Sequence, residues 1–238
     1  MKAVAIIVAA GKGVRMKSDR PKQYLSLKKE PVLRHTLKIF NACDDIEQMI
    51  LVVPQSDISY CRQTILSGIV IKKKLQIVAG GRRRQDSVEK GLLAVEDRES
   101  VIVIHDGVRP FVDPGLIARC IEGAIASGAC IAAVPLQDTL KSVGDDHIIS
   151  TTVDRSGLWI AQTPQAFRYD IIARAHQAAK KEKIAGTDDA VLVERMGLPV
   201  KITHGSRRNI KLTDPEDLKL AEAILCKQPD GDKAGVLD

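Results

Sequence analysis

A pair of closely spaced glycines near the start of the chain has the form of a phosphate-binding turn. Gly11 and Gly13 are separated by one residue and follow the apolar run Val4–Val8, which is typical of a buried strand. Glycines let backbone N–H groups approach phosphates closely, and open α/β sheets bind ligands beyond the carboxyl ends of their strands. The third glycine of the dinucleotide fingerprint and the G-K-[ST] ending of a P-loop are absent from the sequence. The spacing alone therefore leaves a phosphate-binding turn and a purely structural turn as equal alternatives.

Two cations close to this turn favour the phosphate-binding alternative. Arg15 lies two residues after Gly13, and Lys22 follows Pro21 in the segment Pro21–Leu25. Because Pro21 disfavours a helix at the preceding residue, we expect Lys22 on a fixed loop that folds back over the end of the first strand. Each cation alone is typical of a solvated surface. Together with the glycine turn they predict an anion site flanked by two positive charges.

A carboxylate at the end of another predicted strand is suited to a different role. Asp106 follows Val101–Ile104, so we expect it at the same ligand-binding edge. Mg²⁺ prefers carboxylate and phosphate oxygens, so Asp106 is predicted to hold that ion, with a loop-capping role as the alternative. His105 is expected to be structural, because a phosphate nucleophile is already deprotonated near neutral pH and needs no base.

The elements that must position these residues alternate between short apolar runs and amphipathic segments. The runs predict strands buried on both faces, and the amphipathic segments place apolar residues at helical steps. This alternation predicts an α/β fold with a Rossmann-like, mostly parallel sheet covered by helices on both faces. Two Asp-Pro pairs, at 113–114 and 214–215, predict helix starts. The predicted strands are Val4–Val8, Met49–Val53, Leu75–Val78, Val101–Ile104, Ile131–Val134 and Val200–Ile202, and the predicted helices are Pro31–Ala42, Ser56–Ser67, Ser87–Val95, Pro114–Ser127, Asp170–Lys180, Asp188–Met196 and Pro215–Leu225.

The stretch 136–158 interrupts the alternation. Asp138–Val143 and His147–Val153 are strand-like segments on either side of a Gly-Asp-Asp turn, which predicts a hairpin that projects from the sheet as a β-arm. No linker, composition shift or internal repeat divides the sequence, so residues 1–226 are predicted to form one domain. Residues 227–238 are predicted to be a disordered tail.

Composition limits the partners. Of the 238 residues, 45% are hydrophobic and the formal net charge is +6, which favours an anionic partner. Aromatic residues make up only 3%, so few side chains are available to stack on the bases of single-stranded nucleic acid. No nucleic-acid partner is therefore expected. No run approaches the ~18 apolar residues of a membrane helix, so no membrane partner is expected either. The five cysteines, an odd number without a C-x-x-C pair, predict reduced thiols and a cytoplasmic protein.

Short motifs in a fixed order run from the glycine turn to residue 211. They are Ala9-Ala10-Gly11 with Gly13, Arg15 and Met16, Pro21–Leu25, Gly80-Gly81 with Asp86–Val88, His105–Pro110, Asp138-Thr139, Val153–Arg155 with Leu158-Trp159, Gln162–Gln165 with Phe167, Thr187–Asp189 and Asn209–Lys211. This set resembles the 2-C-methyl-D-erythritol 4-phosphate cytidylyltransferase family of non-mevalonate isoprenoid biosynthesis, and the resemblance extends to about Cys226. It implies a nucleotidyltransferase-type fold. It also implies a reaction of CTP with methylerythritol phosphate that gives 4-diphosphocytidyl-2-C-methyl-D-erythritol and pyrophosphate.

The resemblance implies a role for each motif residue. Arg15 and Lys22 would act at the α-phosphate of CTP, Arg155 and Lys211 would aim the attacking phosphate, and Asp106 would hold Mg²⁺ or another divalent cation. The implied nucleotide-binding residues are Ala9, Ala10, Gly11, Gly13, Gly80, Gly81, Ser87, Asp106 and Gly107. The implied substrate-binding residues are Thr139, Arg155, Thr163, Thr187 and Lys211.

The resemblance also implies a homodimer, in which the arm carries Arg155 and Thr139 of one subunit to the site of the other. Trp159 is expected to pack in the core or at the dimer contact. One position departs from the family pattern, because Arg82 follows the glycines where relatives can carry a short or acidic residue. Asp86 or backbone carbonyls are the alternative acceptors for the cytosine base.

Two other functions use the same fold. A ribitol 5-phosphate cytidylyltransferase would share the nucleotide half, although Ala9–Gly11 and the segment Arg155–Trp159 favour methylerythritol phosphate. A non-catalytic nucleotide-binding module would not need Arg15, Lys22 and Asp106, all of which are present. The paired glycine and threonine motifs likewise have no use in a nucleic-acid binder.

Overall fold

The computed structural model describes residues 2–11 and 20–226. Gly13 and Arg15, which the sequence places in the anion site, and the predicted tail 227–238 lie outside the described residues. The strands are β1 (Ala3–Val8), β2 (Ser26–Leu27), β3 (Glu30–Pro31), β4 (Ile46–Val53), β5 (Lys74–Ala79), β6 (Val101–Asp106), β7 (Ala129–Pro135), β8 (Leu140–Val143), β9 (Ile149–Val153), β10 (Trp159–Arg168) and β11 (Lys201–His204). The α-helices are α1 (Val32–Ala42), α2 (Ile58–Tyr60), α3 (Arg84–Leu93), α4 (Pro114–Ser127), α5 (Tyr169–Lys181), α6 (Ala190–Glu194) and α7 (Pro215–Cys226).

Seven strands form one mixed sheet in the order β11-β7-β10-β6-β1-β4-β5. The contacts of β1 with β4 and β6, of β4 with β5 and of β7 with β11 are parallel, whereas β10 runs antiparallel to both of its neighbours. The predicted α/β fold with a mostly parallel sheet is confirmed. The six predicted strands correspond to the six strands of this sheet other than β10.

Strand β10 was not among the predicted strands. Its centre, Gln162–Gln165, is polar and includes Pro164, so it lacks the apolar run that marks the other buried strands. Its register against β7 shifts between Ala161 and Gln165. The side chains in this irregular stretch bond to loops and to the site, as described below.

Alternate residues of the strands enter two cores, one on each face of the sheet. Ala5 and Ile7 of β1 pack with Leu37 of α1 on one face, together with residues of α4. Val4 and Ile6 pack on the other face with residues of α3, α5 and α6. Burial on both faces explains why the sequence of β1 is continuously apolar.

Local start signals explain where several helices begin. The Asp113 carboxylate accepts a hydrogen bond from the Gly115 N–H at 3.2 Å at the start of α4, as its Asp-Pro pair predicts. Asp214 accepts hydrogen bonds from the backbone of the first turn of α7. The helix predicted over Ser56–Ser67 is instead a 3₁₀ turn, the short α2 and a π turn at Cys61–Ile65, and α6 is shorter than predicted.

The predicted hairpin at 136–158 is observed. Strands β8 and β9 pair antiparallel as a separate two-stranded sheet, and every residue of both strands is exposed. The Leu136 N–H donates to the Leu158 carbonyl at 3.0 Å and closes the base of the arm. We define the β-arm as residues 136–158. None of the helices within 2–11 and 20–226 has both the length and the apolar character that a membrane span requires.

Substitution of Gly80 tests whether the loops after β1 and β5 can approach each other only because Gly80 has no side chain. A Cβ added at Gly80 would overlap the Cβ of Ala10 in the loop after β1, whereas nothing lies within 4 Å of the position of a Cβ at Gly11. We expect Gly80→Ala to lower the free energy of unfolding by about 1–3 kcal/mol because the loops must separate. Gly11→Ala is the matched control and should cost less than about 1 kcal/mol. Urea denaturation measures both, and equal stabilities of the two variants would contradict the prediction.

Candidate active site

Loops that follow adjacent strands converge at the carboxyl edge of the sheet. The Ala9 N–H donates to the Val52 carbonyl at 2.7 Å, and the Gly107 N–H donates to the Val8 carbonyl at 2.9 Å. The Gly80 N–H donates to the Val53 carbonyl at 2.7 Å, which fixes the loop after β5 beside them. The structure therefore brings the described members of the predicted nucleotide-binding set together at this edge, namely Ala9, Ala10, Gly11, Gly80, Gly81, Ser87, Asp106 and Gly107.

A buried glutamine, to which sequence reasoning assigned no role, holds the loop after β1. The Gln23 side chain is buried, and its amide donates to the carbonyls of Ala9 at 2.8 Å and Gly11 at 3.2 Å. Gln23 lies in the 3₁₀ turn Lys22–Tyr24, so the clamp also brings Lys22 to the glycine loop. Burial raises the pKa of Asp217, but hydrogen bonds from Thr213 and Asp214 and the charge of Lys22 lower it below its ordinary value. Lys22 thus also lies near the first turn of α7.

Ser87 holds the glycine turn after β5. Its hydroxyl accepts a hydrogen bond from the Gly81 N–H at 3.0 Å and donates to the Arg83 carbonyl at 3.0 Å. The hydroxyl hydrogen is therefore used inside the protein, and this geometry differs from the predicted reading of the base by Ser87. Ser87 is not the helix cap either, because Arg83 and Asp86 form the capping box of α3. Arg82 is exposed on this turn.

Three cations surround the carboxylate of Asp106. Arg84 Nε lies 2.9 Å from Oδ1 and Lys211 Nζ lies 2.8 Å from Oδ2. Arg109 Nε lies 3.8 Å from the same Oδ2. Burial would raise the pKa of this carboxyl group, but the charges of Arg84 and Lys211 outweigh burial and lower it well below its ordinary value. Asp106 is therefore ionised and paired.

The same geometry does not fit the predicted metal-ligand role of Asp106. Both carboxylate oxygens face nitrogen atoms of cationic side chains, and a divalent cation would have to displace them. In the described part of the chain, no group of three or more His, Cys, Asp or Glu side chains could hold a metal ion. A metal ion at Asp106 is disfavoured electrostatically, because Arg84, Arg109 and Lys211 already surround this carboxylate.

Buried side chains fix the loop that carries Lys211. Arg109 Nη1 donates to the Asn209 carbonyl at 2.6 Å, and Asn209 Nδ2 donates to the Thr163 carbonyl at 2.8 Å. Gln162 Nε2 donates to the Ser206 carbonyl at 2.9 Å in the same loop. These residues occur in the sequence motifs, but their roles as loop anchors depend on partners more than 40 positions away and were not predicted.

Thr163 and His105 form a buried link beneath Asp106. The Thr163 hydroxyl accepts from the Asp106 N–H at 3.1 Å and lies 3.1 Å from His105 Nδ1. His105 Nε2 lies 3.2 Å from the Arg109 carbonyl. A carbonyl oxygen can only accept, so we assign the ring hydrogen to Nε2, and Nδ1 then accepts from the Thr163 hydroxyl. Burial lowers the pKa of His105 to about 4, which keeps the ring neutral. His105 is structural, as expected, and the Thr163 hydroxyl hydrogen is used internally rather than directed to a substrate.

A cavity of about 220 Å³ opens beside Asp106. Its lining includes Thr163, Thr187 and Lys211, so three of the five predicted substrate-binding residues meet there. Two buried guanidinium nitrogens of its walls, Arg84 Nη2 and Arg109 Nε, have no hydrogen-bond partner within the described residues. An anion that entered the cavity would supply acceptors for such groups. A larger cavity, of about 470 Å³, lies between α1 and residues 110–114 and contains none of the predicted site residues.

The other two predicted substrate-binding residues are on the β-arm. Thr139 and Arg155 are exposed, and neither lines the cavity of its own chain. The Arg155 guanidinium donates to the Gln137 carbonyl across the base of the arm. Trp159 packs against His204 with the ring centroids 4.8 Å apart, in keeping with its predicted packing role.

The low pKa of His105 can be measured directly. We expect its ring signal, assigned by comparison with His105→Asn, to titrate near pH 4 in an NMR titration, because burial disfavours the charged ring. Since the unfolded chain binds this proton near pH 6.5, His105 stabilises the fold fully above pH 6.5, and its contribution falls by up to ~1.4 kcal/mol per pH unit towards pH 4. Titration at the ordinary histidine value would contradict the prediction.

Several known proteins are similar to this chain in sequence and in fold. The family model described as "IspD: 2-C-methyl-D-erythritol 4-phosphate cytidylyltransferase" matches residues 3–227. A protein of that name from Syntrophus aciditrophicus (strain SB) is 50% identical over 227 residues, which are 95% of this chain and 97% of the relative. One from Pelotomaculum thermopropionicum is 47% identical over 94% of each chain. The crystal structure of 4-diphosphocytidyl-2C-methyl-D-erythritol synthase from Anaerococcus prevotii DSM 20548 is 33% identical, with a TM-score of 0.83 over 95% of this chain and 97% of that one. Because the family model and these relatives match nearly the whole chain, this chain belongs to the 2-C-methyl-D-erythritol 4-phosphate cytidylyltransferase family.

Proposed function

We propose that the chain transfers the cytidylyl group of CTP to 2-C-methyl-D-erythritol 4-phosphate and releases pyrophosphate. The observation that carries the proposal is the cavity with Arg84, Arg109 and Lys211 in its walls. This cavity lies at the same sheet edge as the glycine loops, in a chain that belongs to the family. One ligand of the glycine loops and one of the cavity would then meet at that edge. The product, 4-diphosphocytidyl-2-C-methyl-D-erythritol, joins the two.

The proposed reaction is an in-line displacement at phosphorus. An oxygen of the methylerythritol phosphate attacks the α-phosphorus of CTP, a new P–O bond forms, and the bond to the β-phosphate breaks so that pyrophosphate leaves. The attacking phosphate is already deprotonated near neutral pH, so no general base is required. Neutral His105 is fully buried and bonded on both ring nitrogens, which is consistent with a reaction that uses no general base.

Catalysis then depends on position and charge. We assign Lys22, and Arg15 by the family resemblance, to the α-phosphate, where negative charge shifts in the transition state. Lys211, which is paired with Asp106, and Arg109, which is held by the Asn209 carbonyl, line the cavity and would hold the attacking phosphate. Holding two anionic reactants in contact is the main cost of this reaction, and fixed positive charge reduces it.

Magnesium, or another divalent cation, remains a prediction. A bound divalent cation would neutralise charge on the triphosphate of CTP. Because Asp106 does not fit a ligand role, we assign no protein ligand and no catalytic step to the ion. Loss of turnover on addition of EDTA, and its recovery with excess Mg²⁺, would support the requirement, whereas unchanged turnover would exclude it.

The substrate and the role of Lys22 can be tested together. We expect pyrophosphate release from CTP with methylerythritol phosphate and little with ribitol 5-phosphate. Lys22→Ala should lower turnover by about 10³-fold or more, because a cation that acts on the transferring phosphate is lost. Lys74→Ala, which removes an exposed lysine paired with Glu96, is the matched control. Turnover of folded Lys22→Ala near the wild-type rate would contradict the assignment, and a preference for ribitol 5-phosphate would favour the sister activity.

We further propose that the protein is a cytoplasmic homodimer whose β-arm completes the partner's site. Two features support this arrangement. The arm exposes apolar side chains that a single chain leaves in water, among them Val143, Ile148 and Ile149. Thr139 and Arg155, which the family resemblance assigns to the substrate, lie on this arm and do not line the cavity of their own chain.

Mixing two inactive variants tests the shared site. If Arg155 serves the partner's site, one site of each mixed Arg155→Ala and Lys22→Ala dimer is wild type and the other carries both substitutions. Random exchange makes about half of the dimers mixed, so activity should recover to roughly a quarter of the wild-type value. Pyrophosphate release is measured after exchange has been demonstrated with labelled chains. Activity that stays at the level of the separate variants would show that Arg155 serves its own chain's site or none.

A further inference from the structure

A series of paired charged and polar side chains continues from Asp106 away from the cavity. Arg84 Nη1 lies 2.6 Å from Asp189 Oδ2, and His176 Nε2 lies 3.1 Å from Asp189 Oδ1. The Asp189 and His176 side chains are 1% and 3% exposed. Arg84 is the first residue of α3, His176 lies in α5 and Asp189 precedes α6. Three separate elements are thus tied to the carboxylate that holds Lys211.

Arg84 is the bridge in this series. Its Nε bonds Asp106 and its Nη1 bonds Asp189, so one guanidinium holds two carboxylates. Burial opposes its charge, but Asp189 and Asp106 outweigh burial and raise the pKa of Arg84 further. Because the guanidinium is planar and rigid, the two carboxylates are held in a fixed relation to each other. A lysine has a single nitrogen and cannot reproduce this bridge.

The bridge determines which way Asp106 points. Since Arg84 binds Oδ1, the other oxygen, Oδ2, is left for Lys211 at 2.8 Å and Arg109 at 3.8 Å. Without Arg84, Oδ1 would lose its partner, and the carboxylate could turn so that both oxygens approach the remaining cations. The positions of two cavity cations therefore depend on a residue that holds neither of them directly.

Asp189 is also held by residues other than Arg84. His176 holds Oδ1, and the backbone N–H groups of Asp189 and Ala190 both donate to Gln165 Oε1, at 3.1 and 3.2 Å. Burial would raise the pKa of Asp189, but Arg84 and the hydrogen bond from His176 lower it, so the carboxylate stays charged. Arg84 thus meets a carboxylate whose place is set by the backbone and by α5.

We propose that Arg84 is a positioning residue for the methylerythritol phosphate half of the reaction, and that Asp189 and His176 hold Arg84 in place. It acts through Asp106 on Lys211 and Arg109. The inference rests on the proposed function for the identity of the substrate. The ion-pair series itself does not depend on that identity.

Steady-state kinetics of Arg84→Lys test the bridge. A lysine keeps the charge but reaches only one carboxylate, so kcat/KM for methylerythritol phosphate should fall by about tenfold to a hundredfold. The KM for CTP should change by less than about twofold. Arg83→Lys is the matched control, because the adjacent Arg83 pairs with Asp86 outside the series and should leave both values unchanged. Full activity in Arg84→Lys, or a rise in the KM for CTP as large as that for methylerythritol phosphate, would overturn the proposal.

The holding residues are tested by conservative and non-conservative pairs. Asp189→Asn replaces one of two accepting oxygens by an amide nitrogen, and His176→Leu replaces the ring that bonds Asp189 by an apolar side chain, so both should show the same selective loss toward methylerythritol phosphate. His176→Gln keeps an N–H donor at a similar reach and should recover most of it. A loss in His176→Gln equal to that in His176→Leu would show that the histidine contributes bulk rather than position.

A readout that does not depend on turnover separates this proposal from the proposed function. Lysines labelled by reductive ¹³C-methylation give NMR signals, and the Lys211 signal is assigned with Lys211→Arg. We expect this signal to shift or broaden in Arg84→Lys and to stay unchanged in Arg83→Lys. If the Lys211 signal changes in Arg84→Lys but the wild-type protein does not turn over methylerythritol phosphate, the positioning role is retained and the proposed function is rejected. Turnover of methylerythritol phosphate with an unchanged Lys211 signal would reject the positioning role alone.

Discussion

The Asp106 carboxylate and the cations around it depend on each other. A buried carboxylate without partners would be protonated or would cost several kcal/mol, and buried cations without a carboxylate would repel one another. Arg84, Arg109 and Lys211 come from α3, from the loop after β6 and from the loop after β11, so their pairing with Asp106 draws three parts of the chain to one point. The cavity lining keeps an excess of positive charge, since these three cations face the two carboxylates of Asp106 and Asp188. That excess suits a cavity that receives a phosphate.

Neutral side-chain amides perform much of the remaining positioning. Gln23 clamps the loop after β1, Gln162 bonds both backbone groups of Ser206, and Gln165 bonds the backbone before α6. An amide offers donors and an acceptor, so it can satisfy buried backbone groups on separate loops. It does so without changing the charge of the site. Anchoring by amides therefore leaves the electrostatics to the ion pairs around Asp106.

The features that could be predicted from the sequence are those with a local or periodic signal. The continuous apolar run of β1, the Asp-Pro start of α4 and the hairpin of the β-arm all carry such signals, and all three are observed. Strand β10 carries none, because its polar centre serves partners elsewhere in the chain. The same limit applies to the site. Arg84 and Asp189 are 105 positions apart, and nothing in the spacing of either residue indicates the other. Ser87 lies at the glycine turn after β5 and Thr163 in the wall of the cavity, but their hydroxyl partners are visible only in three dimensions.

The β-arm is a ribbon of two strands that, within the described residues, pair only with each other. Such ribbons are marginally stable in water unless another surface covers them. Opening the arm therefore requires far less free energy than opening the seven-stranded sheet, where β1 is buried on both faces. Backbone amides of β8 and β9 should exchange with solvent deuterium quickly in an isolated chain, at rates unrelated to those of β1. The part of the chain that opens more readily than the sheet therefore carries Thr139 and Arg155 near its base.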